Sequence, residues 1–439
     1  MFVGVVSLGC AKNRVDTEQM LYLLVRDGFS LTQSPEEADV LIVNTCGFIE
    51  PAKEESIRTI LEMAQHKQTG RCKVLCVTGC LSQRYGDEIA RDMPEIDVLT
   101  GVSAYEQLPG MIRDALNGKR GMDTTRRAPP AGCGRILTTP PYSAYIRIAE
   151  GCDNRCAYCA IPLIRGGFVS RPKKEILDEM RALAKSGARE QILIAQDTTR
   201  YGMDGDQGSL AELIRDAANT LGLDWLRLLY CYPDETDEQL IDEMAAHPNV
   251  CRYLDLPLQH ASPKMLRAMN RRGDIDRVTE LLKYARSRGF ALRTTFIVGF
   301  PGETEPDFEQ LMAFVTVMRF DRLGAFTFSP EEDTRAADMP DQVPEALKTE
   351  RLDRLMRLQA TISRERNEAR VGTDTRVLVT RADGRRYSGR SEFEAPDADG
   401  LIHFTSDAVL PEGTFATVRI ERADTYDLYG TCTGTETMP

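Results

Sequence analysis

Histidine is scarce: His66, His247, His260 and His403 are the four present in 439 residues, and each is remote from the cysteine motif described below. A closed zinc site at that motif would lack its usual imidazole partner. Long apolar runs are missing too, the longest being strand-sized against the roughly 18 residues needed to cross a bilayer. The amino terminus reaches Lys12 without a basic-then-apolar export signal, so a cytoplasmic protein with no membrane association is expected. Positive charge is in deficit: 55 Lys and Arg face 67 Asp and Glu, a net −12. That is the wrong sign for gripping nucleic-acid phosphates over a broad face, which argues against a DNA partner and for a basic one. Gly (33) and Pro (22) give no low-complexity bias, so disorder is disfavoured.

What is present is an ordinary globular composition, 42% hydrophobic and 28% charged, in a chain long enough for two to four cores. Twelve cysteines are the most informative count. A reducing cytoplasm makes a disulfide framework improbable and leaves metal or redox chemistry as the reason for the thiols.

The chain reads as α/β and multidomain. Over residues 1–116 an apolar strand three times runs into a cysteine: Val3 to Cys10, Val40 to Cys46, and Val74 to Cys80. The cysteines are separated by 36 and 34 residues, about one βα unit each, which predicts a parallel sheet with all three at its carboxyl edge. Residues 117–141, with Pro129-Pro130 and Pro140-Pro141, read as a linker. Candidate strands at 143–149, 191–196, 226–231, 252–257, 292–298 and 322–328 alternate with helices over 142–344 and predict an open (βα)6 partial barrel. Residues 345–370 predict one long amphipathic helix bridging two domains. Residues 371–439 carry strand-like runs at 375–379, 401–405 and 415–422, as in a small closed β-barrel.

The strongest motif is Glu150-Gly151-Cys152-Asp153-Asn154-Arg155-Cys156-Ala157-Tyr158-Cys159, three cysteines on one tight loop after the first barrel strand. Three thiolates on a [4Fe–4S] cube leave one iron open, and S-adenosylmethionine (SAM) fills such a position for one-electron cleavage. A structural zinc loop is the competing reading. Cys10, Cys46 and Cys80 are a second set of three, suited to an auxiliary [4Fe–4S] cluster that also keeps one iron free. The competing reading there is three core cysteines closing three strands. Of the remaining six, Cys76 is the one plausible substitute ligand, being an even number of residues from Cys80. Cys133, in the linker, has no assignment.

Gly299-Phe300-Pro301-Gly302-Glu303 follows a barrel strand and opens a helix, so Gly299 and Gly302 let the backbone approach a nucleoside; a helix-starting turn explains them equally. Gln196-Asp197, Gln259-His260, Arg165 and Arg171 fall where polar side chains face the barrel mouth. Tyr158 either stacks near the adenine or packs. Tyr158, Gln196, Gly299 and Gly302 are the candidate SAM contacts.

On these motifs the chain resembles the radical SAM methylthiotransferases over essentially its whole length. The domain with Cys10, Cys46 and Cys80 is similar to the family's auxiliary-cluster domain. Cys152 to Cys159 with Arg165-Gly166 and Ser170-Arg171-Pro172 resembles its radical domain, and the β-rich end resembles its OB-like TRAM domain. The resemblance implies two [4Fe–4S] clusters, SAM, a low-potential electron donor and a sulfur source. Of two branches, one modifies a tRNA adenosine beside the anticodon and the other an aspartate of ribosomal protein S-twelve. Ser7 to Asp16, Asn44 to Ile49 and Asp399 to Phe404 look like the second, with Ala11 and Arg14 departing from its commoner Pro and Leu. That branch implies transfer of a methylthio group to the aspartate β-carbon. Residues from Val371 onward hold seven Arg and Lys against twelve Asp and Glu, which suits a basic protein partner better than RNA. A non-catalytic iron–sulfur or zinc scaffold is the alternative from another class.

Overall fold

The computed structural model describes residues 1–127, 134–220 and 222–436, so Cys133 lies outside the described residues. Strands β1 (Phe2–Ser7), β2 (Ser30–Leu31), β3 (Val40–Thr45), β4 (Val74–Gly79), β5 (Val98–Thr100) and β6 (Gly121–Asp123) form a sheet in the order β2-β1-β3-β4-β5-β6. Every pairing is parallel. β3 and β4 are buried at every position, because helices cover both faces of a parallel sheet. Helices α1 (Ala11–Arg26) and α4 (Leu108–Leu116) pack Met20, Leu24 and Ile112 on one face. Helices α2 (Glu50–Thr69) and α3 (Cys80–Asp92) pack Ile60, Leu81 and Ile89 on the other.

β6 lies within the stretch expected to be linker, so the sheet runs past residue 116 to Asp123. The far end of that stretch is pinned as well. Arg135 is buried between Glu18 of α1 and Glu179 of the next domain, at 2.6 Å from the latter. A short Gly- and Pro-rich segment carries no periodicity whether it is free or tied down, which is why its anchoring was illegible.

The central domain has six main parallel strands: β7 (Ser143–Arg147), β10 (Glu190–Ile194), β11 (Trp225–Leu228), β12 (Tyr253–Asp255), β13 (Ala291–Val298) and β14 (Arg322–Thr327). They pair as β7-β10-β11 and β12-β13-β14. The Leu226–Val250 bridge and the Cys231 N–H donating to the Asp255 carbonyl at 3.0 Å join the halves into an open six-stranded barrel. The short antiparallel pair β8 (Ala149–Glu150) and β9 (Val169–Ser170) brackets the cysteine loop. The helix Glu345–Glu368 lies along β14, the open edge of the barrel, with Leu355 and Ile362 buried, and so protects an edge strand.

The last strands, β15 (Asp374–Asp383), β16 (Arg386–Arg390), β17 (Ile402–Thr405), β18 (Phe415–Ala423) and β19 (Leu428–Thr435), close into a small barrel. It seats against the amino ends of the central strands. Phe415, Leu378 and Ala395 pack with Tyr145, Ile192, Trp225 and Tyr253. Buried Glu190 of β10 is bonded to Arg227 at 3.1 Å and to Arg390 of the small barrel at 2.6 Å.

Candidate metal centre

Register decides the first cysteine set. β1, β3 and β4 are neighbours, with Ser7 opposite Asn44 and Thr45 opposite Gly79. Cys10, at the amino end of α1, Cys46, just after β3, and Cys80, the first residue of α3, therefore emerge along one sheet edge. Gly79 makes the turn from β4 into α3 at φ +103°, and a Cβ there would lie 2.4 Å from Asn44 Oδ1 and 2.5 Å from the Thr45 carbonyl. Asn13 ties the strand ends together, donating to the Thr45 carbonyl at 2.8 Å and to the Leu8 carbonyl at 3.1 Å, while its Oδ1 accepts from Cys80 Sγ at 3.5 Å. Ser56 of α2 accepts from the Cys46 N–H at 3.0 Å and donates to its carbonyl at 2.9 Å.

Burial pushes the Cys80 thiol up to about 12, with Cys10 and Cys46 adding to the rise and Arg165 opposing it. Cys46 is likewise raised, chiefly by burial and further by Cys10. The three sulfurs thus stand within electrostatic reach of one another, and burial makes ionisation of Cys46 and Cys80 costly unless a cationic centre accepts them.

The second set is local. Gly151 turns at φ +72°, where a Cβ would come 1.9 Å from the Gly167 carbonyl oxygen, so the chain doubles back tightly on itself. The Cys152 N–H donates to the Gly166 carbonyl at 3.1 Å and the Cys159 N–H to the Cys156 carbonyl at 3.0 Å. Asn154 donates to Asp197 at 2.6 Å, and Asn270 donates to the Arg155 carbonyl at 2.8 Å, which fastens the loop to the barrel mouth. Burial raises Cys152 to about 11, and raises Cys159 still further with Cys156 beside it. Arg271 Nη1 lies 3.8 Å from Cys156 Sγ, and its guanidinium stacks 3.9 Å above the Tyr232 ring.

All six cysteines are free thiols. Among the described residues no three His, Cys, Asp or Glu side chains converge as the ligands of a single metal ion do. Each set offers three soft sulfur donors, a donor set that suits an iron–sulfur cluster better than a closed mononuclear shell, which takes four.

Arg165 joins the two sets. It ends the helix α5 (Ile161–Arg165), just past the cysteine loop, with its side chain 1% exposed. Nη2 reaches Asn13 Oδ1 at 2.7 Å, Asp16 Oδ2 at 2.8 Å and Cys80 Sγ at 3.7 Å, all in the first domain, while Nη1 reaches Glu150 Oε1 at 3.0 Å. Arg147 pairs with Asp16 and, at 2.9 Å, with Glu150. Although burial opposes it, Arg165 and Arg147 hold the Glu150 carboxyl below its usual range. Gln196 Nε2 donates to Glu150 at 3.2 Å and leaves its Oε1 buried without a partner.

The other expected site residues divide. Tyr158 packs against the cluster of Met265, Met269, Phe300 and Phe328. The Gly299 N–H already donates to Glu303 at 3.0 Å and the Gly302 N–H to the Asp341 carbonyl at 2.9 Å. A Cβ at Gly299 would meet Lys348 Cγ at 2.3 Å. The close approach at this glycine is thus made by the long helix, and neither N–H is left for a nucleoside. Arg171 is taken up by Glu179, at 2.8 Å, and by the Arg147 carbonyl, at 2.6 Å, and His260 bonds Glu303 at 3.3 Å. Cys76 sits in the sheet core with Val3, Val74 and Val98. Counting from Cys80 misled because Cys80 belongs to α3, where strand alternation has ended. Arg271 went unseen, since nothing in its local sequence marks it as a neighbour of Cys156.

Beside Cys10 a cleft of about 240 Å³ is walled by all three domains, with Arg14 from the first, Tyr145, Asp255 and Arg293 from the central barrel, and Asp397 from the last. Asp397 accepts from the Tyr145 hydroxyl at 3.1 Å and lies 3.9 Å from Arg14.

Comparison with known proteins follows the same three-part division. Residues 3–101 match the uncharacterized protein family UPF0004, residues 146–315 the radical SAM superfamily, and residues 371–433 the TRAM domain. The ribosomal protein uS12 methylthiotransferase RimO of Desulforamulus reducens is 48% identical, covering 98% of each chain. The RimO of Heliobacterium modesticaldum is 49% identical over 98% of this chain and 95% of its own. Among solved structures, the radical SAM methyltransferase TsrM from Kitasatospora setae shares the fold, with a TM-score of 0.56 at 15% identity over 88% of this chain and 80% of that one.

Proposed function

The chain belongs to the ribosomal protein uS12 methylthiotransferases of the radical SAM superfamily, and we propose that it inserts a methylthio group at the β-carbon of an aspartate in that ribosomal protein. Cys10, Cys46 and Cys80 hold one [4Fe–4S] cluster, and Cys152, Cys156 and Cys159 hold the other. The observation that carries this reading is the pair of three-cysteine sets, one in each of two domains, with Arg165 bonded both to Cys80 of the first and to Glu150, two residues before Cys152 of the second. When bound, the clusters and SAM supply one-electron cleavage of the sulfonium, a radical strong enough to take hydrogen from an unactivated C–H, and a sulfur that carries a methyl group.

The chain's own residues arrange and shield that chemistry. Three thiols per set leave one iron of each cube without a protein ligand. Gln196, whose buried Oε1 is unpartnered at the barrel mouth, is the polar contact offered to SAM. The cleft beside Cys10 admits the target side chain, and the acidic small barrel docks the basic ribosomal protein. A low-potential electron donor and a sulfur source complete the set of partners, and the cytoplasm is where they meet.

Anaerobic reconstitution with iron and sulfide tests this. About eight irons per chain are expected from two clusters, with a methylthio mass increase on uS12 that the Cys152→Ala variant does not produce. A hypermodified adenosine in tRNA beside unmodified uS12 would move the chain to the tRNA branch, and one or two zincs in place of iron would make it a scaffold.

A further inference from the structure

We infer that Arg165 is a positioning residue that sets the reduction potential of the cluster on Cys10, Cys46 and Cys80 through an N–H···S hydrogen bond to Cys80. The inference rests on the two-cluster reading and concerns one residue of the second domain acting on a cluster held by the first.

The interface around Arg165 has its own charge balance. Two guanidiniums, Arg147 and Arg165, face two carboxylates, Asp16 and Glu150, all with little or no exposure. A buried arginine whose sole duty was to clamp two domains would be satisfied by that balance. Arg165 does more. The Nη2 that bonds Asp16 and Asn13 also reaches Cys80 Sγ, 3.7 Å away, by sharing one of its two hydrogens, and Asn13 Oδ1 accepts from both the arginine N–H and the Cys80 thiol. Cys80 is the most buried of the three sulfurs, whereas Cys10 is exposed, so Cys80 is where a protein hydrogen bond replaces water most completely. Hydrogen bonds and positive charge at a ligand sulfur stabilise the more electron-rich state of a cluster and so raise its potential. The Nη1 of the same group holds Glu150, two residues before Cys152. One planar fork therefore fixes the sulfur of one set relative to the loop that carries the other, which lysine, with a single charged nitrogen, cannot do.

The test uses full-length protein in which Cys152, Cys156 and Cys159 are all alanine, so that only the auxiliary cluster is loaded. Arginine labelled with nitrogen-15 should give a resolved hyperfine coupling to the reduced cluster in pulsed EPR. Arg165→Lys should abolish that coupling and shift the potential to more negative values while iron content is retained. Asp16→Asn, which weakens the clamp but leaves the sulfur contact, should lower the melting temperature without moving the potential in that direction. An arginine coupling that is absent, or a potential unchanged in Arg165→Lys, overturns the inference. Should Arg165→Lys fail to fold, the labelled-arginine coupling in the Arg165 protein decides alone. Iron missing from the triple-alanine protein overturns the two-cluster reading and the inference with it, whereas iron without the coupling overturns the inference alone.

Discussion

The two cysteine sets have the same donors and reach them by opposite routes. Cys152, Cys156 and Cys159 lie on one loop that turns at Gly151 and closes on Gly166 and Gly167, so the stretch from Gly151 to Gly167 sets most of the arrangement. Cys10, Cys46 and Cys80 come from three strands, and they meet only because β1, β3 and β4 are adjacent and in register. Each set also carries one arginine against one sulfur, Arg165 at Cys80 and Arg271 at Cys156. Local geometry makes a site robust to distant change, whereas a site assembled by a sheet inherits the sheet's stability.

The comparison breaks most decisively at the ligands. Cys80→Ala and Cys152→Ala should each remove about half of the roughly eight irons expected for two clusters, and each should abolish methylthio transfer. If either substitution empties both sites in iron analysis, the reading of two separately held clusters fails.

The next largest effect separates the routes. Gly79→Ala forces a side chain against Asn44 and Thr45 at positive φ, at about 2 kcal/mol or more from backbone strain and crowding. Its melting temperature should fall and auxiliary iron should be lost, with the loop site still loading. Gly151→Ala should do the reverse, losing loop iron while the sheet site still loads.

Docking of the small barrel is the third test. Glu190 is held down at about 2 by Arg390 and Arg227 despite its burial. Its stabilising contribution is therefore complete above the ordinary carboxylate range, near pH 4.5, and is lost as pH falls toward about 2. Melting temperature measured between those limits should drop in the wild type and vary less in Glu190→Gln. That variant leaves two buried arginines short of a counter-charge and should cost about 3 kcal/mol at neutral pH.

The smallest effect belongs to Cys76→Ala, which should cost about 1 kcal/mol of core packing and leave the iron content unchanged. A loss of iron there would restore Cys76 as a ligand.

Much of this architecture is legible in the amino-acid sequence. Apolar strands ending in Cys10, Cys46 and Cys80 announced a parallel sheet, and the six strand positions of the open barrel are within a few residues of those observed. The misses have physical causes. β16 and β19 escaped notice because Arg386–Arg390 is polar and Leu428–Thr435 is rich in Gly and Thr, so neither shows the alternation expected of a strand. Gly299 invited a nucleoside because a glycine turn reads the same whether it faces a ligand or the stem of Lys348. The linker hid a sheet strand and a buried arginine, since neither announces its partner locally.

By itself the amino-acid sequence determined the candidate donors, six cysteines in two sets of three, together with the glycines that let the chain turn beside them and the acidic balance of the terminal barrel. Spacing and composition suffice for these because they are properties of neighbours along the chain. Tertiary structure alone decided that Arg165 bonds Cys80 and Glu150 together, that Arg271 meets Cys156, and that the cleft beside Cys10 takes a wall from each domain. Long side chains choose partners by burial and charge across elements distant in sequence, so their pairing exists only once the sheets and helices have packed.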